Sequence, residues 1–228
     1  MNDILFIDEF DVPDGIITNE YAYSHPRHLG IHESSNWVAT SGTLFARAGQ
    51  AYSGVPDGAE HGSTIDSTPE NGSAVLRVIT KRISYTNIAV KFSFTNIRFV
   101  TTNRTPEKAW NGLHVFMRRQ DENNTYYIDV NRIDGTLHIK RKLLGAYVTL
   151  SEPVKYPIPM GVKQDIEVRA RTLPTGAVEL RAYIDGNLLQ HVVDDSGDRI
   201  LAGGSVGIRG DNCEFALDDF QVLSLGDL

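Results

Sequence analysis

Residues 112–150 (GLHVFMRRQDENNTYYIDVNRIDGTLHIKRKLLGAYVTL) gather the side-chain types that a sugar site needs. A sugar is held when an aromatic ring covers its apolar side and a few convergent polar groups take its hydroxyls. Tyr127 supplies the ring here, and His114, Arg118, Asn131 and His138 supply planar donors and acceptors. The same residues fit two other readings. In a lyase, Tyr127, His114 or His138 would take a proton while Arg118 or Lys140 neutralises a uronate. On an ordinary wet sheet, Asp129, Lys140 and their neighbours would form opposite-charge cross-strand pairs worth ~0.2–1 kcal/mol each.

Alternation is what would put these side chains on one face. Leu113, Val115 and Met117 alternate with His114, Phe116 and Arg118. Tyr126, Ile128 and Val130 alternate with Tyr127, Asp129 and Asn131, and Leu137 and Ile139 with His138 and Lys140. Period two means strands with one buried and one wet face. Asp134-Gly135 suits a two-residue hairpin, whose central positions need positive φ. Glu167, Arg169, Glu179, Arg181 and Tyr183 alternate in the same way and are expected on the same wet face. A one-residue slip would send every side chain to the other face. Trp110, at a loop-to-strand junction, either rims the site or caps the core. Trp37 belongs to the core.

Strand patterns recur along the chain at 4–10, 37–48, 73–80, 88–100, 165–171, 178–184, 187–193, 205–209 and 213–223, between Gly, Pro, Asn and Asp clusters. Two stretches, 19–36 and 49–72, read as irregular segments. No window carries a convincing helical stripe. The expected fold is all-β: a two-sheet antiparallel β-sandwich formed as a single domain over residues 1–228.

Composition narrows the function. The net charge is −7, and the longest basic run is Lys140-Arg141-Lys142, so nucleic acid is not an expected partner. No apolar run approaches a membrane span. The opening MNDILFIDEFD has neither the basic nor the apolar region of a signal peptide. The lone Cys213 permits no internal disulfide and reads as a buried, inert thiol. His25, His28 and His32 lie close together, but zinc needs a further ligand and a rigid scaffold, and surface histidines are the expectation. No nucleophile elbow, phosphate-cradling loop or dinucleotide fingerprint is present.

The strings YYIDVNRIDGTLHIK, DIEVRA, AYIDGNLL and GSVGIRGDNCEFALDDFQV, with FIDEFD near the start, resemble the concanavalin-A-like lectin/glucanase superfamily, and its laminin-G-like branch in particular. The resemblance implies a jelly roll. It also implies one structural Ca²⁺ where the first and last strands meet, held by Glu9 and Asp218, with Asp219 adjacent; hard oxygen ligands suit that ion. Glucanases of this type carry an E-x-D-x-x-E strand. The near match Glu9-Phe10-Asp11-Val12-Pro13-Asp14 ends in Asp, is broken by Pro13 and lies on the first strand. Strands 113–118 and 126–132 hold one carboxylate, Asp129, so no catalytic pair is expected there.

The first third, with DGIITNEYAY followed by SSNWVATSGTLFARAG, resembles tail-associated or virion-surface proteins of phages infecting actinobacteria. This resemblance implies a non-enzymatic virion surface protein, phage tail- or capsid-associated, without a signal peptide, in host-surface glycan adhesion or decoration. The implied partners are a cell-surface polysaccharide or glycan, other virion subunits and further copies of the chain. A polysaccharide lyase or glycoside hydrolase of the same fold is one alternative. A structural subunit-contact module with no glycan ligand is the other.

Overall fold

The computed structural model describes residues 3–19, 32–57, 64–65 and 72–226. Their strands run in chain order as β1 (Ile4–Asp8), β2 (Gly15–Asn19), β3 (Trp37–Ser41), β4 (Thr43–Arg47), β5 (Gln50–Tyr52), β6 (Thr64–Ile65) and β7 (Ala74–Thr80). Then come β8 (Ile88–Phe99), β9 (Gly112–Arg119), β10 (Thr125–Arg132), β11 (Thr136–Leu137), β12 (Ile139–Leu143) and β13 (Ala146–Thr149). The chain continues through β14 (Val154–Lys155), β15 (Lys163–Thr172), β16 (Val178–Ile184), β17 (Asn187–Asp194), β18 (Ser205–Asp211) and β19 (Cys213–Ser224). Among the described residues no helix is long and apolar enough to cross a membrane.

The strands form two large antiparallel sheets. One has the order β17-β16-β15-β8-β19-β5-β4-β2, with β1 also on β19; the other has the order β13-β12-β10-β9-β18-β7-β3, with β6 on β7. A small third sheet pairs β11 with β14. This is the expected two-sheet sandwich. β2 carries no strand pattern in the sequence reading, and β5 and β6 fall inside the irregular segment 49–72. These strands are short, so alternation has little length in which to register.

Facing side chains of the two sheets form one core. On β15, Ile166, Val168 and Ala170 point in, while Glu167 and Arg169 point out. Trp37 anchors the aromatic part, edge-on to Phe6 at 5.4 Å and to Phe220 at 5.0 Å, and stacked on Phe10 at 6.0 Å. Its indole N–H donates to Asp8 Oδ2 at 2.7 Å, which satisfies the one polar atom carried inside. Cys213 is buried, and burial raises its thiol pKa far above the usual value, so it is the inert thiol expected.

Two local predictions need correction. Two-residue hairpin turns with positive φ at both residues stand at Ala48-Gly49 (53° and 71°), Leu144-Gly145 (50° and 86°) and Asp185-Gly186 (51° and 76°). At Asp134-Gly135 the turn is wider, and only Gly135 has positive φ, at 67°. There the Asp134 carboxylate accepts from the Thr136 amide and the Arg132 guanidinium instead. The second correction concerns alternation, which breaks twice beside the proposed site. β9 bulges at Arg118 (φ 50°), and β10 bulges between Asp129 and Asn131. Each bulge adds a residue and reverses which side chains face out beyond it. Gly112 allows the second bulge: a Cβ there would lie 1.8 Å from the Asn131 carbonyl oxygen.

Candidate functional site

The outer face of the eight-stranded sheet is built as rows of cross-strand partners. One row reads Thr149, Lys140, Tyr127, Phe116, Gly207, Ile79 and Val38 across six pairings. Its apolar members, Ile79, Phe116, Tyr127 and Val38, pack into a small cluster outside the main core. The next row places Asp129 opposite His114, His114 opposite Arg209, and Arg209 opposite Arg77. A third sets Arg132 opposite Gly112 and Gly112 opposite Asp211.

Where these rows meet, the face sinks into a pocket of about 320 Å³. Tyr127 and His114 line it together with Arg132, Lys140 and Arg209, and Trp110, Tyr147 and Thr149 form the rest of the wall. Trp110 is 38% exposed and Tyr147 49% exposed, so Trp110 rims the site rather than capping the core. Tyr147 meets Tyr127 edge-on at 5.8 Å, and Tyr127 stacks on His114 at 4.7 Å. Beyond Arg132 lies a second pocket of about 360 Å³, lined mainly by Phe99, Pro157, Ile158 and Met160.

A buried charge network holds the floor in place. His114 Nδ1 lies 2.8 Å from Asp129 Oδ1. Its Nε2 lies 3.1 Å from Asp211 Oδ2, poorly aligned for a hydrogen bond. Asp129 Oδ2 also accepts from Arg132 Nη1 at 3.0 Å and Lys140 Nζ at 2.9 Å. Arg209 clamps Asp211 through Nε and Nη2, at 2.8 and 2.7 Å. Burial alone would raise both carboxyl pKa values, but the opposite charges win. His114 and Lys140 hold Asp129 well below its usual range, and Arg209 and His114 bring Asp211 down to about 2. Burial pushes the Tyr127 phenol well above its ordinary value, so it stays protonated.

Of the five residues proposed for sugar contact, His114 and Tyr127 line this pocket. His138 is half-buried beside it; its Nε2 is 2.9 Å from Thr136 Oγ1, and burial lowers its pKa. Arg118 and Asn131 are corrections. At its bulge Arg118 turns inward, donating to the Thr86 and Ile200 carbonyls, Asn87 Oδ1 and Thr172 Oγ1. Arg119 takes its place outside, over the Phe116 ring. Asn131 likewise turns in, opposite Leu113, and its Oδ1 accepts from Asn96 of the other sheet at 3.4 Å. Arg132 replaces it on the outer face.

Arg209, Arg132, Tyr147 and Thr149 went unnoticed in the sequence. Arg209 reaches the site only because β18 inserts beside β9, a long-range pairing with no local signal. The expected companions Glu167, Arg169, Glu179, Arg181 and Tyr183 lie on the nine-stranded sheet, whose outer face is the opposite side of the sandwich. There Glu179 pairs with Arg171, Arg181 and His191, and Glu167 with Lys91, which makes an ordinary solvated ladder.

At the other end, β1 does run beside β19, with Asp8 opposite Phe220. Glu9 and Asp219 are exposed and Asp218 is half-buried, its Oδ1 accepting from the Asp219 amide at 2.8 Å. Among the described residues no group of three His, Cys, Asp or Glu gathers to hold a metal, and calcium rests on the resemblance alone. Asp11 and Asp14, like Glu9, are exposed and outside any strand, so the glucanase-like string forms no carboxylate row. His25 and His28 lie outside the described residues. His32 is exposed, and its carbonyl accepts from the Asn19 amide at 3.2 Å.

No family model matches this chain, and neither does any curated protein. Solved structures do. A carbohydrate-binding module, CBM66 from Bacillus subtilis, superposes with a TM-score of 0.57 at 15% identity, over 82% of this chain and 95% of its own. A Bacillus subtilis protein of unknown function with a galectin-like fold gives 0.60 at 11% identity, over 99% and 100%. A protein from work on endo-acting O-glycanases of the human gut microbiota gives 0.56 at 12% identity, over 98% and 100%. At these identities the likeness concerns the fold alone, a two-sheet jelly-roll sandwich.

Proposed function

We propose that this protein is a non-catalytic glycan-binding protein whose site is the pocket on the outer face of the eight-stranded sheet. The observation that carries the reading is the convergence, in one cavity, of the Tyr127, Tyr147 and Trp110 rings with the N–H donors of Arg132, Lys140 and Arg209. Apolar rings with a few fixed polar groups are the general form of a sugar site. The floor is preorganised, because each cation is already held by a carboxylate, so little ordering is left to oppose binding.

The chemistry of the pocket argues against turnover. A glycoside hydrolase needs one carboxyl raised to act as an acid and a second as nucleophile or base. Asp129 and Asp211 are both lowered, both have 0% side-chain exposure, and both are engaged by cations. Of the three lyase bases considered, Tyr127 is held protonated, His114 faces carboxylates through both nitrogens, and His138 is not among the residues that line the pocket.

The proposed setting is a virion surface, where binding would serve host adhesion or decoration alongside other virion subunits. That setting is supported by the sequence resemblance of the first third alone. Tail or capsid genes flanking this one would support it, and a neighbourhood of secreted carbohydrate enzymes would count against it. The binding itself is tested by screening the intact protein on a glycan array together with a reducing-sugar assay. Retention of at least one glycan without turnover is the expected result, and release of sugar ends would overturn the non-catalytic reading.

A further inference from the structure

We infer that the sugar taken by this pocket is acidic, bearing a carboxylate or sulfate; this rests on the glycan-binding reading above. The charged groups that line the cavity are cations, Arg132, Lys140 and Arg209, with His114 beside them. Of the carboxylates that hold them, Asp129 and Asp211 are sealed behind with no side-chain exposure, and Asp134, which also pairs with Arg132, lies in the adjoining turn. A ligand entering the cavity therefore meets N–H donors and must supply acceptors. Lys140 has three donors and gives one to Asp129, and Arg209 gives Nε and Nη2 to Asp211, which leaves capacity on both.

The wider face has the same sign. Its strands present six cations, Arg77, Arg119, Arg132, Lys140, Lys142 and Arg209, against Asp129 and Asp211, with Asp134, Asp121 and Glu122 in the adjoining turns. This excess sits on a chain whose net charge is −7. A local field opposite to that of the molecule draws an anionic ligand to this face and discourages it elsewhere. A carboxylate or sulfate would add charge-assisted hydrogen bonds that a neutral sugar lacks.

The test sets neutral ligands against charged relatives built on the same core. Lactose, sialyllactose and sulfated lactose form one series, and trigalacturonate with its methyl ester another, within an array that also carries other neutral and acidic glycans. Acidic members should bind at least roughly ten-fold tighter than their neutral counterparts, with the difference shrinking as salt is raised. Sialate and uronate against sulfate separates the two sources of charge. Lys140→Gln, checked for folding by its melting temperature, should erase the preference; if it does not fold, the salt dependence of the wild type decides. Binding confined to neutral glycans, or equal binding of a charged pair, would overturn the inference while leaving glycan binding intact. No glycan bound at all would overturn both.

Discussion

Tyr127 shows how one side chain serves both fold and site. It is 5% exposed, wedged among Phe116, His114 and Tyr147, and it offers the pocket little of its surface. Tyr127→Ala should therefore cost about 3 kcal/mol of stability, read from chemical denaturation, as well as any binding. The exposed rings of Trp110 and Tyr147 are the cleaner probes. Asp129 and Asp211 give a second prediction at this scale. Their folded pKa values lie below the unfolded value of about 3.9, so the stability they contribute is present above that pH. It is lost as pH falls through the folded values, which for Asp211 means toward about 2. Asp211→Asn should flatten the acid limb of a stability-against-pH curve between about 4 and 2 while destabilising the protein at neutral pH, since Arg209 loses its partner. An unchanged acid limb would mean that the network is not charged as described.

At the scale of elements, the bulges decide what the site contains. The alternation of residues 113–117 and 126–129 is plain in the sequence, and His114 and Tyr127 follow from it. Alternation fails at Arg118 and Asn131 because a bulge inserts one residue without any periodic signal. The side chains beyond it, Arg119 and Arg132, then take the outer face. Arg118 thereby becomes a structural cation, tying β9 to the 86–87 segment, to Thr172 and to Ile200. Arg118→Ala should cost about 1–3 kcal/mol by leaving buried carbonyls unpaired, yet leave glycan affinity unchanged. A loss of affinity without loss of stability would return Arg118 to the sugar site. Gly112 was not singled out in the sequence, and its importance appears only once β10 crosses it.

At the scale of the molecule, the sandwich was legible and the assignment of strands to sheets was not. Alternation says that a strand has a wet face; it does not say to which sheet that face belongs. Residues 167–183 have the same polar pattern as 114–140, but they cover the opposite side of the molecule. The aromatic and cationic convergence exists only because β13, β12, β10, β9 and β18 lie side by side. The last of these joins from the far end of the chain, which no local pattern announces. The fold carries a cation-lined pocket on a protein whose net charge is −7.

The central claim, that this pocket holds a sugar, is met most directly by comparing the wild type with a Trp110→Ala, Tyr147→Ala double variant on one glycan array. Both rings are partly exposed, at 38% and 49%, so the melting temperature should fall much less than in Tyr127→Ala, while removal of two stacking surfaces should weaken binding by about 2 kcal/mol or more. Equal binding by the two proteins, or no glycan retained by the wild type, would contradict it.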